Sequence, residues 1–390
     1  MTVLFTGATG FLGSRVLRLL LTQDPPVPLT VLGRDEPGTL RARVERAVAW
    51  LSPEPLPGGR LERVRYASAD LDRPRLGLTE DQAAELAQGV TRVWHCAALL
   101  SAQGDPAALH RSNVLGTRAV LDLAERAPGA DLVHISTAYV AGNRAHGTVR
   151  EDELTEEYGF ATAYEQSKYT AERLVRAWAG RTGRDALVLR TGLLVDDRVA
   201  PPGVPGQPMD VLNEILDDVV RRTAGTGHSG KLLIGFPGDP AGELSTSQVG
   251  WAAEAAVRAA AGRREAGCLT AHATHPENIS LGDFIGAVRL RHPGIEVRLE
   301  SGTPVSPAAA TLLSRHWTDL LSALGTHRRT FDRTVFRRLV GDFPDPAPVD
   351  GAYLSRAVGA APAAAPGAAG RPAVPGPAGP VSPAAPVPPA

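Results

Sequence analysis

Six short, almost wholly apolar runs separated by amphipathic stretches fill the first half of this 390-residue chain: residues 3–6, 29–32, 64–67, 93–96, 132–136 and 187–190. A strand that is apolar along its whole length is covered on both faces, and a parallel sheet flanked by helices does this. The intervening segments 12–23, 40–51, 79–87, 109–126 and 164–180 carry helical periodicity. Strands and helices in this alternation predict a Rossmann-like, doubly wound α/β fold with a parallel sheet.

The first run leads into Thr6-Gly7-Ala8-Thr9-Gly10-Phe11-Leu12-Gly13. Between a strand and a helix, such a turn is a dinucleotide fingerprint. Gly7 permits the tight turn, Gly10 lets backbone amides approach a pyrophosphate, and Gly13 lets the helix close on the sheet with its N-terminal dipole toward the anion. All eight residues are therefore candidate cofactor contacts. After the second run, an acidic residue would bond the adenosine ribose and a basic one would accept a 2′-phosphate. Arg34 comes first, which points to NADPH, while Asp35 directly after it leaves NADH open. Asp70 and Leu71 follow the third run and are placed to reach the adenine. Ala97 and Ala98 follow the fourth and form a small-residue wall.

Lys168 and Lys231 are the only lysines in a chain that otherwise uses arginine for positive charge. Lys168 stands four residues after Tyr164, so on a helix the two share one face. A phenol has a reference pKa of about 10, and a neighbouring ammonium is expected to lower it, making Tyr164 an acid–base group with Lys168 as its partner. Both residues would also touch the nicotinamide ribose region. The fifth run ends in Ser136-Thr137, and one of these hydroxyls is expected to grip a substrate carbonyl. Asn113 is a candidate member of a water relay near Lys168.

Beyond about residue 195 the pattern loosens. The proline- and glycine-rich 201–208 precedes a helix-like 209–222, a strand-like 231–236, a helical 248–261, a strand-like 269–274 and helical 281–291 and 308–324. The expected organisation is a dinucleotide-binding unit over 1–200 and a mostly substrate-binding lobe over 201–357. The chain is expected to return to the first unit around 231–262. The Ala/Pro/Gly-rich 358–390 buries too little apolar surface to order itself and reads as disordered.

A net charge of −1 with interspersed signs gives no field toward nucleic acid or an anionic membrane, which leaves a small molecule as the expected ligand. Two cysteines, no long apolar run and no leader-like start suggest an unanchored cytoplasmic protein. No metal site is expected. Cys268, His272 and His275 lack a clear fourth ligand, and His95 and His134 lie in apolar strands as core histidines.

Across residues 2–290 these motifs resemble the extended short-chain dehydrogenase/reductase family, on the turn at 6–13 and on Tyr164-Glu165-Gln166-Ser167-Lys168. Val93-Trp94-His95-Cys96-Ala97-Ala98 and Val133-His134-Ile135-Ser136-Thr137-Ala138-Tyr139-Val140 narrow the likeness to fatty acyl-CoA reductases and carrier-protein thioester reductases. The resemblance implies that Thr137, rather than Ser136, is the catalytic hydroxyl beside Tyr164 and Lys168. It also implies reduction of an acyl thioester, delivered on coenzyme A or a separate acyl carrier protein, and pairing of two copies through 109–126 and 164–180. A ketone, alcohol or nucleotide-sugar oxidoreductase or epimerase would use the same three residues, and a non-catalytic dinucleotide sensor would need none of them.

Overall fold

The computed structural model describes residues 2–52, 54, 56–100, 104–224, 232–300 and 323–359. Its centre is a seven-stranded sheet of β1 (Thr2–Thr6), β2 (Leu29–Gly33), β3 (Arg65–Ser68), β4 (Val90–His95), β5 (Asp131–Thr137), β6 (Ala186–Thr191) and β7 (Cys268–Ala273). The order is β3-β2-β1-β4-β5-β6-β7, and every pairing is parallel. The expected doubly wound fold is thus present, and β1–β6 match the six apolar runs to within three residues at either end. The chain winds outward from β1 in both directions, which opens a crevice at the carboxyl ends of β1 and β4 where such folds bind ligands.

The reason the runs are apolar throughout is visible in the core. Phe5, Trp94, Val133 and Leu189 face one side, packed with α1 (Phe11–Thr22). Their neighbours Leu4, Val93, Leu132 and Val188 face the other, where α4 (Gly116–Glu125) and α5 (Ala163–Thr182) lie. Helices α2 (Pro37–Leu51) and α3 (Glu80–Ala87) complete the layers. The expected long helix 109–126 is interrupted by a π-helical stretch, His110–Leu115, just before α4.

A smaller lobe is assembled around a third core that includes α6 (Pro208–Ala224) and the helix Leu281–Arg291. The return of the chain to the main sheet differs from expectation. Strand Leu232–Pro237 pairs in parallel with Ile295–Glu300 and belongs to the lobe. The segment that comes back is α7 (Val249–Gly262), packed on α1, followed by β7, which hydrogen-bonds to β6. Phe336, Leu339, Val340 and Phe343 also join the core under α1. The main body therefore draws on residues well past 262. Most of the expected helix 308–324, and 360–390 of the expected tail, lie outside the described residues. Among the described residues no helix is long and apolar enough to cross a membrane.

Candidate active site

The glycine turn is held by contacts that exclude larger residues. Gly7 adopts φ +82°, and a Cβ placed on it would lie 2.5 Å from the Ala97 amide nitrogen. A Cβ on Gly13 would lie 2.0 Å from the Gly7 carbonyl oxygen. Thr6 ties the turn to β4, its Oγ1 bonding His95 Nδ1 at 2.9 Å and accepting from the Ala97 amide at 3.3 Å. Helix α1 is preceded by Gly10 with no side-chain cap and has no acidic residue in its first turn, so among the described residues its leading amides have no anionic partner. A pyrophosphate fits this cradle, because it would supply the missing cap and the turn has no Cβ in its way. Ala8 and Leu12 are buried and Thr9 is half-buried. Phe11 carries the Arg15 guanidinium 4.4 Å above its ring.

Arg34 is exposed at the end of β2, and its guanidinium has no partner among the described residues. Asp35, the residue that kept NADH open, is paired with Arg43 at 2.5 Å. After β3, Asp70 Oδ1 accepts from the Asp72 amide at 3.0 Å, and Leu71 packs against Gly116, where a Cβ would lie 2.8 Å from Leu71 Cβ. Ala97 and Ala98 follow β4, with the Ala97 backbone beside Gly7.

Helix α5 begins with a capping box that places its first turn. Thr162 Oγ1 accepts from the Glu165 amide at 3.2 Å, and Glu165 Oε2 accepts from the Thr162 and Ala161 amides at 3.1 and 2.9 Å. The Thr-x-x-Glu spacing was readable in the sequence and was overlooked because Glu165 lies inside the Tyr164 motif. Tyr164 lies within that first turn, half-buried and lining a cavity, and no side chain or backbone group of the described residues bonds its hydroxyl. Burial, and then the Glu165 carboxylate, push its phenol up to about 12. This overturns the expectation that Lys168 lowers it. The buried Lys168 Nζ donates instead to the Ile135 carbonyl at 2.7 Å, and burial lowers its own pKa to about 8. At neutral pH the pair is a neutral phenol and an ammonium, which suits proton donation.

Strand alternation separates the two hydroxyls at the end of β5. Thr137 lines the cavity, its Oγ1 donating to the Thr191 carbonyl at 3.2 Å. Ser136 points to the opposite face and donates to Glu172 Oε2 at 2.9 Å. There Glu172 and Arg190, both fully buried, form a bidentate pair at 2.7 and 3.0 Å, joined by Arg176 at 2.9 Å. Two turns beyond Tyr164, this pair fastens α5 to β6. Sequence reading missed it.

Asn113 does not stand free as a relay. Its Oδ1 accepts from the Leu99 amide at 2.7 Å, and its Nδ2 donates to the Leu99 carbonyl at 3.0 Å and to Ser167 Oγ at 2.9 Å. Its side chain staples the loop after β4 to the catalytic helix. His95 and His134 are buried core histidines with ring centroids 5.2 Å apart, both kept neutral by burial and the Lys168 ammonium. His272 contacts Arg190 and the Asp332 carbonyl, and His275 contacts Ala347 and Glu277.

The cavity beside Tyr164 and Thr137 has a volume of about 450 Å³. One end is polar, with Thr137, Thr162, Tyr164 and Glu165, and the rest is lined mainly by aliphatic side chains of the lobe. It is within the range that buries most of a small ligand.

A nucleotide cradle at the switch point, opening toward a neutral phenol and a threonine hydroxyl, is suited to hydride exchange with a carbonyl carbon. The fold and the glycine turn define a nucleotide-binding protein of the Rossmann type. Residues 5–213, more than half of the chain, match the NAD-binding family described as male sterility protein, and the chain belongs to that family. It is 34% identical over 202 residues to glycine betaine reductase ATRR of Emericella nidulans, covering 49% of this chain and 15% of that protein. It is 33% identical over 151 residues to fatty acyl-CoA reductase 1 of Homo sapiens, covering 37% and 29%. The chain thus spans less than a third of the length of these relatives. The solved terminal R domain from the myxalamid PKS-NRPS biosynthetic pathway shares the fold, with a TM-score of 0.69 over 92% of this chain and 89% of that one at 24% identity.

Proposed function

We propose that this protein reduces an acyl thioester, carried on coenzyme A or an acyl carrier protein, to the aldehyde with NADPH, in the cytoplasm. The observation that carries this reading is the meeting of Tyr164 and Thr137 in a largely apolar cavity that Phe11 and Leu12 of the glycine turn also line. The bound nicotinamide supplies a hydride to the carbonyl carbon. Thr137 donates a hydrogen bond to the carbonyl oxygen as charge builds on it, and Tyr164 gives it a proton, which yields a hemithioacetal. Lys168 would hold the nicotinamide ribose. The phenolate then takes the hydroxyl proton back as the carbon–sulfur bond breaks, and the departing thiolate is protonated by solvent. Aldehyde and free thiol leave in equal amounts, and a second round gives the alcohol. A sugar substrate suits the cavity less well, because its hydroxyls would be buried against aliphatic walls without partners.

Incubation with NADPH and acyl-pantetheine is expected to consume one NADPH per thiol released where aldehyde accumulates and two per thiol where the alcohol does. Turnover of ketones or nucleotide sugars with no thiol release would reverse the assignment.

Cofactor choice rests on Arg34, whose guanidinium has no partner among the described residues, and on the neutralisation of Asp35 by Arg43. Arg34→Ala is expected to weaken NADPH binding about 10- to 100-fold, the range for a charged hydrogen bond, with little change for NADH. Fluorescence titration with each dinucleotide measures it, and an equal loss for both would remove the 2′-phosphate role.

A further inference from the structure

Four segments around the nucleotide cradle meet at the π-helical stretch His110–Leu115. Such bulges are rare and gather at functional sites. Ser112 Oγ donates to Asp72 Oδ1, and Gly116 lets Leu71 pack against the start of α4, which together hold the loop after β3. Asn113 joins Leu99 to Ser167, whose Oγ donates to the Tyr164 carbonyl at 2.8 Å. The glycine turn is reached through His95, a fully buried side chain that stands between two threonines. Its Nδ1 lies 2.9 Å from Thr6 Oγ1, and its Nε2 lies 3.0 Å from Thr117 Oγ1. The direction of each bond follows from the far end. Thr117 Oγ1 is 2.6 Å from the Asn113 carbonyl oxygen, a contact that needs a proton between the two oxygens, so Thr117 donates there and accepts from His95 Nε2. The neutral imidazole then accepts at Nδ1 from the Thr6 hydroxyl, and Thr6 Oγ1 accepts in turn from the Ala97 amide. Every bond in this series, from the backbone beside Gly7 to the Asn113 carbonyl, points the same way.

We propose that His95 and Thr117 are positioning residues that couple the two halves of the site: dinucleotide phosphates seated in the glycine turn fix Thr6 and Ala97, and the His95–Thr117 series carries that order through the π-helical stretch to the first turn of α5, where Tyr164 stands. Glycine gives the turn conformational freedom that a ligand removes. Ordering one end of a series of satisfied, buried bonds lowers the cost of ordering the other. At one end Gly7 is in close contact with the Ala97 backbone, and at the other Ser167 is next to Lys168 and bonded to the Tyr164 carbonyl. That the group so held is a proton donor rests on the reaction proposed above, whereas the coupling itself does not.

Two measurements on the full chain test this. In the first, amide hydrogen exchange is followed by mass spectrometry with adenosine 5′-diphosphate 2′-phosphate. This probe has the adenosine and phosphates of NADPH but no nicotinamide half, so it reaches the glycine turn and Arg34 without touching Tyr164 or Lys168. Saturating probe is expected to slow exchange about fivefold or more at 109–117 and at 162–168 as well as at the turn. Thr117→Val, which keeps the shape and removes the hydroxyl, should retain the slowing at 6–13 and lose it at 162–168. Thr117→Ser should restore it. In the second, Thr117→Val is expected to lower kcat for acyl-pantetheine reduction about 10- to 100-fold, as for a displacement of the reacting groups by up to about 1 Å. KM and the NADPH dissociation constant should stay within about threefold of the wild type. Thr117→Ser should keep near wild-type kcat, and His95→Phe should resemble Thr117→Val. The Thr117 pair, which differs by single atoms, stands even where the His95 variant folds poorly. Equal slowing at 162–168 in the wild type and Thr117→Val, or none there in the wild type, overturns the coupling. A lower melting midpoint in Thr117→Val with unchanged kcat per folded molecule overturns it as well, since that is a packing role alone. The expected exchange pattern in a wild-type protein that reduces no thioester overturns the reaction and upholds the coupling.

Discussion

Tyr164→Phe is expected to lower kcat for thioester reduction about 100- to 10,000-fold, the span over which a positioned general acid acts, while NADPH binding stays essentially unchanged. The phenol lines the substrate cavity, and none of the described residues competes for its proton. Burial and Glu165 hold it neutral up to about pH 12, so the wild-type enzyme does not lose its proton donor in the ordinary alkaline range. The charge that changes there belongs to Lys168, whose pKa is lowered to about 8 by burial. Below that pH the ammonium is present, and above it the free protein loses the cation that would hold the nicotinamide ribose. kcat/KM is therefore expected to fall as pH rises through about 8. The phenylalanine variant should keep little activity at any pH. A variant with near wild-type kcat would show that another group delivers the proton.

Glu172→Leu is expected to cost about 3–5 kcal/mol of stability, because it leaves the Arg190 guanidinium buried opposite an apolar side chain. Neither partner of the native pair is exposed, and their contacts are bidentate. Urea unfolding followed by fluorescence should show a lower midpoint at unchanged slope. The double variant Glu172→Leu/Arg190→Leu should recover much of the loss, since it removes the stranded charge as well. Burial alone would raise the Glu172 carboxyl, but Arg190, Arg176 and Ser136 outweigh it and hold the group below the usual carboxylate range. Its contribution to stability is thus fully present above the unfolded value of about 4.3 and is lost as pH falls through the lower folded value. A loss below about 1 kcal/mol in the single variant would place this pair with ordinary surface ion pairs.

The parts of the molecule that could be read in advance are those whose causes are local. Strands β1 to β6 announce themselves because burial on both faces leaves no polar position, and the turn at Gly7–Gly13 because close approach of backbone requires glycine. Tyr164 and Lys168 share a face by helical spacing alone. Other features depend on residues far apart in the chain. Glu172 and Arg190 are separated by 18 positions and meet only once α5 lies across β6. The strand 268–273 has the same apolar look as its neighbours, yet the intervening lobe hides which sheet it joins. The acidity of Tyr164 was misjudged because one nearby ammonium can be inferred from spacing, whereas the depth of burial cannot. The break before α4 leaves no mark in composition, and the Asn113 staple to Leu99 and Ser167 appears only when three segments converge.

The addition of β7 between two stretches of the lobe has a consequence for anyone seeking to exchange specificity between enzymes of this shape. The lobe is built from two stretches of chain, one between β6 and α7 and one after β7, so α7 and β7 return to the main sheet between them. Cutting the chain at the end of the family match would leave the outer edge of β6 bare, with six backbone pairings missing and an apolar strand open to aggregation. Exchange of substrate preference therefore calls for lobe pieces spliced in on both sides of 246–273, which stays with its host, rather than for a swapped carboxyl-terminal half.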